Sequence, residues 1–350
     1  MESQLEERTP LEIALNNPTI LSEIFKRIHS DIDTDTSPLK TARLVCQFWN
    51  DMVLSLAKLE LELSNYEHYG EQDPFSFFDF CFSVDHRLAK RIHATSGYMV
   101  SESAGPRVYH FACKLTHVCD KFSEIMRILT IEIMYEDCLK YVHQILKNCC
   151  PNLKELELKF FLSTLERTLD EPLPPKAKLE SLIFHCGVHT GIPALVSFIQ
   201  VVVNASPNLR KAKFPEDIFP DLKSCKFLNS LKIKLTKSDP ADIARCALML
   251  RPISGRLVSL RFGKAYSLGP SGEPGKFWLP KNMRKLETYK APMVDVFQCD
   301  ELLSHFEKMP ALKTLVIRQI RHENGRFARV FATRFRLGED LRRCEEFDNF

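Results

Sequence analysis

Cys150-Pro151-Asn152-Leu153-Lys154-Glu155-Leu156-Glu157-Leu158 carries the pattern on which the fold of this chain turns. Leu156 and Leu158 alternate with charged residues, the period of a strand with one buried face. Pro151 stands two residues before Leu153, where its missing N–H ends a helix and favours extended backbone. A helix is predicted just upstream, from Cys138 to Asn148, where apolar residues recur at helical spacing. The unit is therefore helix, proline, leucine strand.

The unit recurs along the chain. Clear copies begin at Leu153 (Leu156, Leu158), Leu179 (Leu182, Phe184), Leu228 (Leu231, Ile233), Leu257 (Leu260, Phe262) and Leu312 (Leu315, Ile317), and weaker ones at Met126, Leu209 and Met283. Successive starts are 27, 26, 30, 19, 29, 26 and 29 residues apart. An earlier copy begins at Leu56, with Leu59, Leu61 and Leu63. Further helices are predicted at Leu195 to Asn204, Ile243 to Leu250 and Leu302 to Lys308, and Pro207 and Pro310 repeat the position of Pro151. Units of this size cannot bury an apolar face alone and must stack on their neighbours. They resemble leucine-rich repeats, although no asparagine ladder follows the strands. The expected fold is α/β: an irregular leucine-rich-repeat solenoid with a curved parallel sheet over residues 126–320, an irregular start over 57–125 and a capping segment over 321–350.

Between the early copies, Phe75, Phe77, Phe78, Phe80 and Phe82 read as a strand or buried packing layer. Two stretches rich in proline or glycine, Ser163 to Lys178 and Lys264 to Lys281, read as loops, the second carrying Tyr266, Phe277 and Trp278.

Residues 15–56 are different in kind, following an N-terminal tail over 1–14. Pro18, Ile20, Leu21, Ile24, Phe25 and Ile28 line one helical face. After the polar connector Ser30 to Ser37, Leu44, Val45, Phe48, Trp49, Met52 and Val53 form a second stripe, with Pro38 suited to its first turn. About 35 residues are too few to enclose a core alone, so these helices need a partner surface. The order Asn17-Pro18-Thr19-Ile20-Leu21-Ser22-Glu23-Ile24-Phe25 followed by Leu44-Val45-Cys46-Gln47-Phe48-Trp49 resembles the F-box family, with Asn17 where the family has leucine. The resemblance implies binding to a Skp-family adaptor and, through it, a cullin. It also implies that Pro18, Ile20, Leu21, Ile24, Phe25, Ile28, Leu44, Val45 and Trp49 contact that adaptor or support the helices that do. Phe25 and Trp49 are the expected hot spots.

Composition bounds the remaining possibilities. The chain has 350 residues, 45% of them hydrophobic and 27% charged, which suits a globular protein. Its longest apolar stretch, Ile192 to Val203, is too short to span a bilayer. An acidic, polar N-terminus does not read as a targeting peptide. The cysteines stand singly in apolar patterns, as reduced thiols do. A cytoplasmic or nuclear location is expected. The net charge of +3 gives no general attraction to nucleic acid.

Outward positions between the repeat's apolar residues define a binding face. Early strands offer Glu155, Glu157, Lys159, Ile183 and His185; later ones offer Lys211, Lys213, Lys232, Lys234, Arg261, Lys285 and Arg318. This basic band is expected to receive an acidic or phosphorylated segment of a protein substrate, or else to be a solvated face. No phosphate loop, nucleophile elbow or zinc helix is present, and His185, Cys186 and His189 lack a second ligand pair, so no catalytic residue, metal or cofactor is assigned. From Arg318 to Arg343, arginines interleave with Phe327, Phe331 and Phe335; Glu339, Asp340, Glu345, Glu346 and Asp348 offset their charge, and the segment reads as a cap rather than an RNA site. Taken with the resemblance, the expected role is a non-catalytic substrate-recognition subunit of a cullin-RING ubiquitin ligase. The alternative is a non-ligase scaffold, or an RNA-binding solenoid using the basic C-terminal half.

Overall fold

At the N-terminus, four short helices pack on one another: α1 (Pro10–Leu15), α2 (Pro18–Asp31), α3 (Ser37–Arg43) and α4 (Gln47–Ser55). The computed structural model describes residues 9–31, 37–55, 61–64, 85–95, 104–161, 169–187, 193–215, 218–234, 240–263, 280, 282–293 and 309–319. Asn17 caps α2, its Oδ1 accepting from the N–H groups of Thr19 at 2.9 Å and Ile20 at 3.3 Å. Pro18 opens the helix, where its missing donor costs nothing. This polar cap satisfies donors that α2 would otherwise leave unpaired.

The single second helix expected from the Leu44 to Val53 stripe is in fact two. Leu44 N–H bonds Thr41 O at 3.0 Å and Val45 N–H bonds Ala42 O at 3.2 Å, three-residue bonds that tighten and end α3. Arg43 Nε spans the corner to Asn50 Oδ1 at 2.9 Å. The turn removes Leu44 and Val45 from the stripe that faces inward. Inside lie Leu21, Phe25, Leu39, Ala42 and Val53, with Ile28, Phe48, Trp49 and Met52 packed against them. Helix α1, most of which lies in the expected tail, is tied on at its last residue, where Trp49 Nε1 donates to Leu15 O at 3.2 Å.

Beyond the helices the chain is α/β. Among the described residues ten strands form one sheet in chain order, every neighbour parallel: β1 (Leu61–Ser64), β2 (Arg91–Thr95), β3 (Ile128–Ile133), β4 (Glu155–Phe160), β5 (Ser181–Cys186), β6 (Lys211–Phe214), β7 (Ser230–Ile233), β8 (Ser259–Phe262), β9 (Thr288–Met293) and β10 (Thr314–Gln319). Helices α5 (Ala104–Lys121), α6 (Glu136–Asn148), α7 (Pro193–Asn204) and α8 (Pro240–Leu250) lie between strands and contribute Leu115, Leu146, Phe198 and Leu250 to the core. The helices predicted at Cys138, Leu195 and Ile243 fall within α6, α7 and α8. The helix predicted at Leu302 to Lys308 lies outside the described residues, as do the Phe75 to Phe82 run, nearly all of the Lys264 to Lys281 loop, and the chain beyond Gln319.

The register shows why the leucine pattern works. Leu61, Ile92, Leu129, Leu156, Leu182, Ala212, Leu231, Leu260 and Tyr289 sit opposite one another in a single row, with Leu315 next. Behind that row, Phe160 stacks on Phe184 and Phe184 on Phe214 at centroid distances of 6.0 and 6.2 Å. Two expectations shift here. In the copy counted from Leu56, Leu61 rather than Leu59 takes the place in the row. Tyr289 pairs with Leu260, so the unit counted from Met283 begins three residues later, at Leu286. A tyrosine followed by Ala291 hides that copy from a leucine-based pattern.

Two recurrent hydrogen bonds stitch the units. From β3 to β10, one carbonyl at the start of a strand accepts from two successive N–H groups at the start of the next: Lys154 O from Glu180 and Ser181, Glu180 O from Arg210 and Lys211, Arg210 O from Asn229 and Ser230. Asparagine also acts here rather than after the strands. Asn152 Nδ2 donates to Glu124 O at 2.8 Å and Asn208 Nδ2 to Ala177 O at 2.7 Å, equivalent links between adjacent units.

Cysteine fills the turns between helix and strand. Cys150 takes a left-handed conformation at φ 60° after α6, and Cys149 and Cys150 are both buried. The Lys176 amine, itself buried, donates to Cys149 O at 2.7 Å and satisfies the end of α6. Burial pushes the Cys149 thiol up to about 11, and those of Cys138 and Cys246 up to about 12. Such thiols are packing groups rather than nucleophiles.

Candidate binding faces

The expected adaptor residues divide into two sets. Leu21 and Phe25 are 0% and 1% exposed, and Trp49 stands edge-on to Phe25 at 5.4 Å. Phe25 therefore holds the helices together rather than facing outward, the supporting one of the two roles expected of it. Ile28 packs half-buried beside it. Pro18 is exposed, as are Ile20 at 42%, Ile24 at 39%, Leu44 at 86% and Val45 at 58%. Leu11 and Ile13 on α1 are also exposed, an apolar contribution that a tail reading of these residues overlooked.

The second face is the side of the sheet opposite the leucines, where charge is distributed unevenly. Around β2 to β6 the charges neutralise one another. Glu132 takes Lys159 Nζ at 2.8 Å and His93 Nε2 at 3.4 Å. Burial pushes the Glu132 carboxyl up, but these two partners outweigh it and hold the group below its ordinary value. Glu157 Oε1 lies 2.9 Å from His185 Nε2, and Lys213 Nζ is 3.2 Å from the His185 ring nitrogens.

From β6 onward the face is cationic. Lys213, Lys232, Arg261 and Lys290 are direct register partners on four consecutive strands. Lys232 makes no ion pair among the described residues, and Arg261 bonds only the hydroxyl of Ser259, at 3.3 Å. Burial first, and then repulsion from Lys232, lowers the Lys213 pKa. Lys211 is exposed on the same face nearer the strand start, and Lys234 is exposed beyond Lys232. Arg318 falls opposite Pro292 on β10. Lys285 does not join the row, since it precedes β9 in the turn; Lys290 takes its place. The signal for Lys290 was its position after Tyr289, legible only once tyrosine is allowed as the repeat's apolar residue.

Other expected features carry less. No group of three metal-ligating side chains exists among the described residues, and His189 lies outside them. No described helix is long and apolar enough to cross a membrane. Comparison with protein-family models and with curated proteins finds no match.

Proposed function

We propose that this chain is the substrate-recognition subunit of an SCF-type cullin-RING ubiquitin ligase, an N-terminal F-box docking on a Skp-family adaptor and a leucine-rich-repeat solenoid capturing the target. The observation that carries this reading is the division of the helical unit. Leu21 and Phe25 form its inside, while Ile20, Ile24, Leu44 and Val45 remain exposed on its outside. Four large apolar side chains on so small a unit are costly in water and favour a protein partner. Transfer of ubiquitin belongs to other subunits, and this chain contributes positioning alone.

The test is co-purification. The intact chain is expected to recover a Skp-family adaptor and a cullin from cell extract. A Leu44→Glu, Val45→Glu double variant, altered only at exposed positions, is expected to lose both while keeping its far-UV circular dichroism. Failure of the intact chain to recover the adaptor, or equal recovery by the variant, overturns the reading. Phe25→Ala is the poorer probe, because a cavity at a buried phenylalanine unfolds the helices whatever their partner.

A further inference from the structure

The row Lys213, Lys232, Arg261 and Lys290 is built by register rather than by surface crowding. Each residue pairs with the next across parallel strands, and their inward neighbours Ala212, Leu231, Leu260 and Tyr289 are buried in the core. At a strand spacing of about 4.8 Å the row spans roughly 14 Å. Like charges held this close are unfavourable unless an anion joins them. On β3 to β5 the same face supplies its own counter-charges, Glu132 and Glu157; beyond β6 no carboxylate meets Lys232 or Arg261 among the described residues.

We infer that this row is the docking strip for an acidic segment of a partner protein, its carboxylate or phosphoryl groups set along the rungs with an apolar residue against Ile183. The strip accommodates about four residues of extended peptide at roughly 3.4 Å each, of which alternate residues, about 7 Å apart, face the cations. Its limits argue for a peptide over a nucleic acid. Toward β4 the cations give way to half-buried Ile183 and then to Glu157, so a phosphate backbone continuing along the row meets a hydrophobic rung and a carboxylate. No phenylalanine, tyrosine or tryptophan projects from the charged side of the described strands, because Phe184, Phe214, Phe262 and Tyr289 all point into the core. Single-stranded nucleic acids depend on such rings for stacking. Arg261 supplies a planar fork able to hold one carboxylate or phosphoryl group by two bonds.

This inference names the substrate class for the receptor reading, yet its test needs no adaptor, so either idea can fail alone. Fluorescence anisotropy of the full chain would be measured against a labelled peptide with one leucine followed by four aspartates. The same measurement would use its counterpart with two phosphoserines, a neutral asparagine counterpart, and a single-stranded RNA of equal charge. The acidic peptide, the phosphopeptide or both are expected to bind in a salt-sensitive manner. A Lys232→Glu, Arg261→Glu variant is expected to weaken binding by about tenfold or more. Lys223→Glu, an equally signed change at a lysine paired with Asp221 away from the row, is expected to leave binding unchanged. No binding of either anionic peptide, equal binding of the asparagine peptide, equal loss at Lys223, or tighter binding of RNA than of both peptides overturns the proposal. The relative affinity of aspartate and phosphoserine peptides assigns the anion.

Discussion

Arg87 Nη1 donates to Asp51 Oδ1 at 2.8 Å, and so joins the turn ahead of β2 to helix α4. The same guanidinium holds Asp85 through Nη2 at 2.7 Å. One side chain thus links the helical unit to the start of the sheet. Both partners of the Arg87–Asp51 pair are partly exposed, which screens their attraction. A double-mutant cycle using Arg87→Ala and Asp51→Ala should give a coupling of about 0.5 kcal/mol in urea unfolding. A coupling indistinguishable from zero would mean that apolar packing alone joins the two parts.

Asp85 carries a pH dependence. Hydrogen bonds from the Arg87 side chain pull its carboxyl down to about 2, against burial, which pushes it up. Its unfolded value is near 3.9. The unfolded chain therefore binds the extra proton first, so this stabilisation is complete above about pH 4 and is lost as pH falls toward 2. Thermal unfolding of the wild type and Asp85→Asn, compared across that window, should converge as pH falls. Parallel curves would sink the assignment.

Phe184 is fully buried and stacks between Phe160 and Phe214. Phe184→Ala should cost about 3–5 kcal/mol, because the rings on both sides are held by adjacent strands and cannot collapse into the space. The denaturant midpoint reports this loss. A cost below about 1 kcal/mol would show that the stack repacks.

Asn152 offers a milder test of how units are joined. Its amide reaches Glu124 O, as that of Asn208 reaches Ala177 O. Both are partly exposed, so Asn152→Ala and Asn208→Ala should each destabilise by about 1 kcal/mol. As sites in different units, their effects should add in the double variant. Protection of nearby amides from hydrogen exchange would fall first around β4 and β6.

Much of the sheet was legible because strand alternation is local. Leu156 with Leu158, and Leu231 with Ile233, betray a buried face by spacing alone, and the register places them in common rows. Where the apolar residue is not aliphatic the pattern fails, as at Tyr289, and the unit is then misplaced by three residues. Strand β2 was missed for a related reason, since Ile92 and Ala94 offer only one large apolar side chain. The helical stripe misled differently. Spacing joined Leu44 and Val45 to Phe48 and Trp49, whereas two short-range backbone bonds end α3 just where the stripe continues.

By itself, the sequence determined that leucine strands and helices alternate, since period and proline position act within a few residues of one another. It also marked the two N-terminal stripes as apolar. Tertiary structure alone decided which members of those stripes face inward, burying Phe25 against Trp49 and leaving Leu44 outside. It alone decided the charge of the sheet's other face as well. Glu157 lies two strands from Lys213, and only register brings His185 between them while leaving Lys232 and Arg261 without a carboxylate among the described residues. Compensation between charges depends on distance across strands, and residues about thirty apart in the chain become neighbours only when the strands pair.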